Sequence, residues 1–201
     1  CAGRGALDEA QSLVSRAIEA RPGAAAYHNS LGNILQRRGA QAAAEAAFRR
    51  AIALDRHLAQ AHANLGHTLR ATGRHDEAVA SYRSALALAP TLVSAWAGLG
   101  QAQLATGETD LGILTLRRLE RRAGDERRHD DRLRALLTLA EAQVGIAREA
   151  ALGCARQIKA VSPLASDHTL ASTAAIRAGI IELHVEGWSD EIADRCLEAW
   201  R

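Results

Sequence analysis

The residues that could do chemistry in this chain of 201 amino acids are eight histidines, three cysteines, an arginine-rich run and one Ser-Asp-His triplet. The histidines, at 28, 57, 62, 67, 75, 129, 168 and 184, form no HExxH and no i,i+4 pair, so a helix-borne metal site lacks its ligands. Ser166-Asp167-His168 has the residue types of a hydrolase triad, but neighbours on one segment cannot aim three side chains at each other. After Pro163, the triplet reads as a helix N-cap, with Ser166 or Asp167 accepting backbone N–H bonds. Residues 117–134, RRLERRAGDERRHDDRLR, set eight arginines against five acids. Opposite charges at three- and four-residue steps read as a solvated helix junction. The alternatives are an anion site or a His129-Asp130-Asp131 metal cluster. Cys1, Cys154 and Cys196 are odd in number and show no CxxC spacing, which argues against a disulfide framework and against zinc. Gly98 and Gly100 follow no strand, so there is no phosphate loop. No catalytic residue, metal or cofactor is expected.

Composition bounds the elements that could position a site. The chain is 48% hydrophobic with one Phe, two Tyr and three Trp, so its core must be built from Ala, Leu, Ile and Val at close helix spacing. A net charge of +2 is too balanced for a phosphate-backbone binder, so nucleic acid is not the expected partner. Every basic residue but Lys159 is arginine, which suggests a GC-rich, bacterial coding sequence. No apolar run approaches the ~20 residues of a bilayer span. The chain reads as soluble and cytoplasmic. It contains no Met, which points to a piece of a larger protein; an acylated lipoprotein start at Cys1, giving an envelope location, is the alternative.

Self-similarity is the strongest signal. Segments starting at 25, 59 and 93 superpose at a spacing of 34 residues. Leu-Gly recurs at Leu31-Gly32, Leu65-Gly66 and Leu99-Gly100, and a second glycine follows at Gly39, Gly73 and Gly107. A glycine inside a helix costs about 0.5–1 kcal/mol relative to Ala, so its recurrence implies a close helix neighbour. The second glycine supplies a left-handed C′ residue that closes the helix. The second helix then carries Ala44-Phe48-Ala51 in one unit and Ala78-Tyr82-Ala85 in the next, on one face, and Pro90 ends that unit. Each unit is expected to be a helix-turn-helix hairpin.

These residues resemble the tetratricopeptide repeat (TPR) family. The unit at 59–92 carries the signature at Leu65, Gly66, Leu69, Gly73, Ala78, Tyr82, Ala85 and Pro90. The unit at 25–58 carries it at Leu31, Gly32, Leu35, Gly39, Ala44, Phe48 and Ala51, with Arg56 where proline is usual. The unit from 93 carries Trp96, Leu99, Gly100 and Gly107, with Gly112 in the alanine slot. Gly5, Ala10, Val14, Ala17 and Pro22 match the back half of a preceding unit. Leu136, Leu139, Ala140, Ala151, Ala155, Ile158 and Pro163 outline a degenerate unit, and Gly187, Asp190, Glu191, Ile192, Cys196 and Ala199 the end of another. The resemblance implies an all-α solenoid, a right-handed superhelix of about five or six hairpins with partial units at both ends. Residues 1–123 would be solenoid (partial unit 1–24, then 25–58, 59–92 and 93–123) and 124–201 a degenerate continuation. His62 would occupy the bulky packing position that Trp96 holds one unit on.

By the same resemblance the first helix of each unit faces a concave groove. That implies groove residues Asn29, Ser30, Asn33, Gln36 and Arg37, then Gln60, Asn64, His67 and Arg70, then Ser94 and Gln101. The set is amide-rich with two arginines, suited to a peptide backbone and a carboxylate. The expected function is a scaffold that holds a peptide or protein partner, with no enzymatic activity. Alternatives are the substrate-recruiting region of a glycosyl- or sulfotransferase, a lipid-anchored envelope assembly factor, and self-association through exposed solenoid ends.

Overall fold

A computed structural model describes residues 2–125, 128–143 and 148–186. Their regular structure is helical: α1 (Ala2–Ala20), α2 (Ala25–Arg37), α3 (Gln41–Leu54), α4 (Ala59–Ala71), α5 (His75–Leu88), α6 (Val93–Ala105), α7 (Thr109–Asp125), α8 (His129–Gln143), α9 (Arg148–Val161), a 3-10 turn at Ser162–Leu164, and α10 (His168–Glu186). The chain divides into two compact units, Cys1–Thr106 and Gly107–Arg201. Cys1 and the motif residues from Gly187 to Ala199 lie outside the described residues.

In the first unit the helices pack as sequential antiparallel hairpins, α2 on α3 and α4 on α5, with α3 also on α4 and α5 on α6. Gly39, Gly73 and Gly107 adopt φ of 78°, 78° and 83°, the left-handed conformation that only glycine enters without strain. At the first two, a six-to-one bond closes the helix: the amide of Ala40 donates to Leu35 O and that of Arg74 to Leu69 O, each at 2.9 Å. The chain thus reverses at a fixed place in each repeat.

Two aromatic wedges set the spacing of these helices. Phe48 and Tyr82 are fully buried among Ala44, Ala63, Ala78, Ala85, Ala95 and Leu99. A Cβ on Gly32 would lie 2.4 Å from the Phe48 ring, and one on Gly98 would lie 2.3 Å from Tyr82 Cζ. On Gly66 the nearest approach to Tyr82 is 2.8 Å. Tyr82 therefore sits between α4 and α6, closer to Gly98, a position whose equivalent one repeat upstream is Asn64. Phe48 instead leans toward Gly32 in its own hairpin. Replacing Gly98 with Ala gains about 0.5–1 kcal/mol of helix propensity but overpacks a ring that has nowhere to move, so a net loss of about 1–2 kcal/mol is expected in urea denaturation. Gly153 of α9, with nothing within 4 Å of its would-be Cβ, is the matched control, where Ala should stabilise by about 0.5–1 kcal/mol.

A second periodic device joins consecutive repeats. The ring nitrogens His28 Nε2, His62 Nε2 and Trp96 Nε1 bond the carbonyl oxygens of Pro22, Arg56 and Pro90 at 3.1, 3.1 and 2.8 Å. A carbonyl can only accept, so each histidine carries its proton on Nε2. His62 is half-buried in the place Trp96 holds, and what both supply is a ring N–H at the same reach. The missing proline at Arg56 changes nothing here, because the acceptor is main chain.

The second unit has its own core. Leu133, Leu136, Leu137 and Ala140 of α8 pack on Ala151, Leu152, Ala155, Ile158 and Val161 of α9 and on Ala174, Ala178 and Ile181 of α10. Leu139 is buried too, and Pro163 is exposed. Asp167 caps α10 by accepting the Leu170 amide at 3.0 Å. Asp130 accepts from Ser166 Oγ at 2.5 Å and from its amide at 2.9 Å, pinning that turn to the start of α8. Arg132 reaches Glu120 at 2.7 Å, while Asp131 pairs with Arg128 at 2.7 Å and Arg134 at 3.3 Å. Much of the charge in the arginine-rich run is therefore neutralised within the unit.

Candidate functional site

The first helices of the first unit approach one another directly, α2 with α4 and α4 with α6, whereas α3 does not reach α5. That difference makes the side lined by α2, α4 and α6 the inner one. The wider gap between the second helices is spanned by long side chains. Arg74 Nη1 meets Glu45 at 2.6 Å and Arg74 Nη2 meets Glu77 at 2.5 Å, while Arg49 Nη1 meets Glu45 at 2.5 Å. Glu45 is almost wholly buried, so two arginines on one carboxylate compensate its desolvation.

Asn64 is the hub of the inner face. It is only 7% exposed, and its carboxamide N–H2 donates to Asn29 Oδ1 at 3.0 Å and to Asn33 Oδ1 at 2.9 Å. Its own Oδ1 accepts from Gln60 Nε2 at 3.0 Å. Both donors and the acceptor are thus used inside the protein, and a buried amide so satisfied rigidifies the α2–α4 junction. Asn29 and Asn33 give Asn64 their oxygens and keep their own N–H2 groups, which meet no acceptor among the described residues. Gln36 adds a longer bond across the same helices, to Thr68 Oγ1 at 3.4 Å.

One helical turn on, His67 Nδ1 lies 2.8 Å from the Tyr82 hydroxyl, with the rings edge to face at 5.2 Å. Burial, helped by the neighbouring Arg70 cation, lowers the His67 pKa to about 4. Burial pushes the Tyr82 phenol up to about 12, with Arg70 pulling the other way. Both groups are therefore neutral near pH 7. A histidine that charges at pH 6.5 when unfolded and only near 4 when folded makes the unfolded chain the stronger proton binder between those values. Stability should consequently fall as pH drops through that window, by about 2 kcal/mol once partial exposure is allowed for, and His67→Gln should flatten the dependence in urea titrations.

The remaining inner residues differ in role. Arg70 is half-buried and has no carboxylate partner among the described residues, and its Nε–H is buried without an acceptor. Arg37 and Ser94 are exposed, and Ser30 and Gln101 half-buried. The structure thus joins Asn29, Asn33, Gln60 and Asn64 in one cluster and pairs His67 with Tyr82. Gly98, whose missing side chain admits the Tyr82 ring, belongs to this site, and the sequence shows it only as a second helical glycine two residues before Gly100.

Hairpins repeated every 34 residues, closed by left-handed glycines and stacked through the Phe48 and Tyr82 wedges, define a helical-repeat protein. The chain belongs to the tetratricopeptide repeat family: a tetratricopeptide repeat model matches residues 2–59 and a TPR repeat model residues 66–107. Its fold is the all-α TPR-type solenoid. Among solved structures it is similar to YrrB, a TPR protein with an unusual peptide-binding site, with a TM-score of 0.65 and 20% identity over 92% of this chain and 91% of that one. MamA is similar at TM-score 0.62 and 18% identity, covering 90% and 91% of the two chains. MamA 41-end from Desulfovibrio magneticus RS-1 gives 0.65 and 19%, covering 82% and 88%. At such identities the likeness is one of fold. The curated proteins gave no match. No helix among the described residues is long and apolar enough to cross a membrane.

Proposed function

We propose that the chain is a non-catalytic scaffold whose inner face on α2, α4 and α6 holds an extended segment of a protein partner. The observation that carries this reading is the pair Asn29 and Asn33, fixed through their oxygens by a buried Asn64 and left with N–H2 donors that have no acceptor among the described residues. An extended peptide carries a carbonyl every residue and satisfies such donors without ordering cost to the protein, because the cluster is already rigid.

The test keeps the cluster and changes only its outward chemistry. Asn29→Asp or Asn33→Asp retains an oxygen for Asn64 but replaces the outward donor with an acceptor. Each should weaken a partner segment about tenfold or more in fluorescence anisotropy while thermal melting stays close to that of the parent. Unchanged affinity in both variants would refute the reading.

A further inference from the structure

The charges of the first unit are sorted by helix. The inner helices α2, α4 and α6 contain no Asp or Glu, and their only full charges are Arg37 and Arg70. The acids of the first two repeats lie on or just past the second helices, Glu45 on α3, Asp55 at its end, and Asp76 and Glu77 on α5, where Glu45 and Glu77 are paired with Arg49 and Arg74. Arg70 differs from those arginines. It stands on the middle inner helix beside His67 and Tyr82, both neutral near pH 7, and has no carboxylate partner among the described residues. Its side-chain hydrogen bond goes to the neutral Tyr82 hydroxyl, which leaves its charge uncompensated among the described residues.

Resting on the groove reading above, we propose that the inner face is selective for an acidic segment, with an Asp or Glu side chain of the partner docking on Arg70. Three features converge on a carboxylate. A guanidinium matches its fork of oxygens, the partly desolvated setting strengthens the pair, and the absence of inner-face acids removes internal competition. The position of Arg70 selects an internal side chain over a chain terminus. Arg70 lies on α4, with Arg37 on α2 to one side and Gln101 on α6 to the other, so a segment lying across the face runs on past the cation in both directions. Arg37, exposed at the end of α2, supplies a second, solvent-screened attraction for the same segment.

The experiment uses the full chain and a synthetic library of peptides randomised at every position, prepared with free C-termini in one set and C-terminal amides in the other. Retained peptides should be enriched in Asp or Glu equally in both sets. A selected peptide should lose about tenfold or more in affinity when its acid is changed to the amide. Arg70→Gln should cause a similar loss for the acidic peptide yet change binding of its amide counterpart by less than about twofold, and Arg70→Lys should retain part of the affinity. Equal losses for both peptides would make Arg70 a structural residue and overturn the proposal. Binding that requires the free C-terminus would replace the side chain with a terminal carboxylate and overturn it too. Retained peptides without acidic enrichment would overturn it while leaving the groove reading intact, and a library with no retained peptide would overturn both.

Discussion

Tyr82→Ala is expected to lower stability by about 3–5 kcal/mol in urea denaturation followed by circular dichroism. The side chain is fully buried and lies between α4 and α6, so its removal opens a cavity at the junction of two repeats. In a stacked-repeat protein, stability is a sum of repeat terms and neighbour-interface terms, and this substitution strikes an interface term. The transition should therefore also broaden, as the hairpin of α4 and α5 loses its coupling to α6. Tyr82→Phe makes the comparison informative. It keeps the wedge and removes only the hydroxyl that meets His67 and Arg70, so its cost should be about 1 kcal/mol. A Tyr82→Phe loss as large as that of Tyr82→Ala would mean that the hydrogen bond, and not the wedge, holds the junction.

Asn64→Asp is expected to cost about 3 kcal/mol at pH 7, although the two side chains have the same shape. Asn64 donates to two carboxamide oxygens, and an aspartate there would turn a donor into a buried, charged acceptor facing acceptors. The new carboxyl would have a raised pKa in the folded state, because burial and the missing donors disfavour its charge. A raised folded-state pKa means that the folded chain binds the extra proton, so the deficit should shrink on acidification and be largest above neutrality. Measuring the difference from the parent at each pH separates this trend from the opposite one that His67 imposes on both proteins. A deficit that does not change with pH would show that the carboxyl at position 64 reaches solvent and that Asn64 is no hub.

The sequence made the scaffold legible because its cues are local and repeat. Gly39 and Gly73 sit where a helix must stop, and the alternation of small and aromatic residues at Ala44, Phe48, Ala78 and Tyr82 marks the buried face of each second helix. The site was less legible, since its partners lie about one repeat apart and the outcome depends on which amide turns toward which. Nothing in residue type separates Asn29 and Asn33, which keep outward donors, from Asn64, which spends all its hydrogen bonds within the protein. The same holds for His67, a groove position by register that is engaged by the Tyr82 hydroxyl. Glu45 and Arg49 are an i,i+4 pair that spacing alone shows, but the reach of Arg74 to Glu45 across the outer side spans 29 residues, and no short-range spacing announces it. Gly98 was visible as a glycine in a helix, but its role depends on how the Tyr82 ring leans.

The proposed scaffold holds its partner segment on the inner face of α2, α4 and α6. The most direct test is site-specific photo-crosslinking, with a benzophenone amino acid at Arg37 on the inner side or at Arg50 on α3, both exposed positions. Mass spectrometry of the adducts should show one contiguous partner segment joined from position 37 and absent from position 50. The same segment captured equally from both positions, or from 50 alone, would contradict the account.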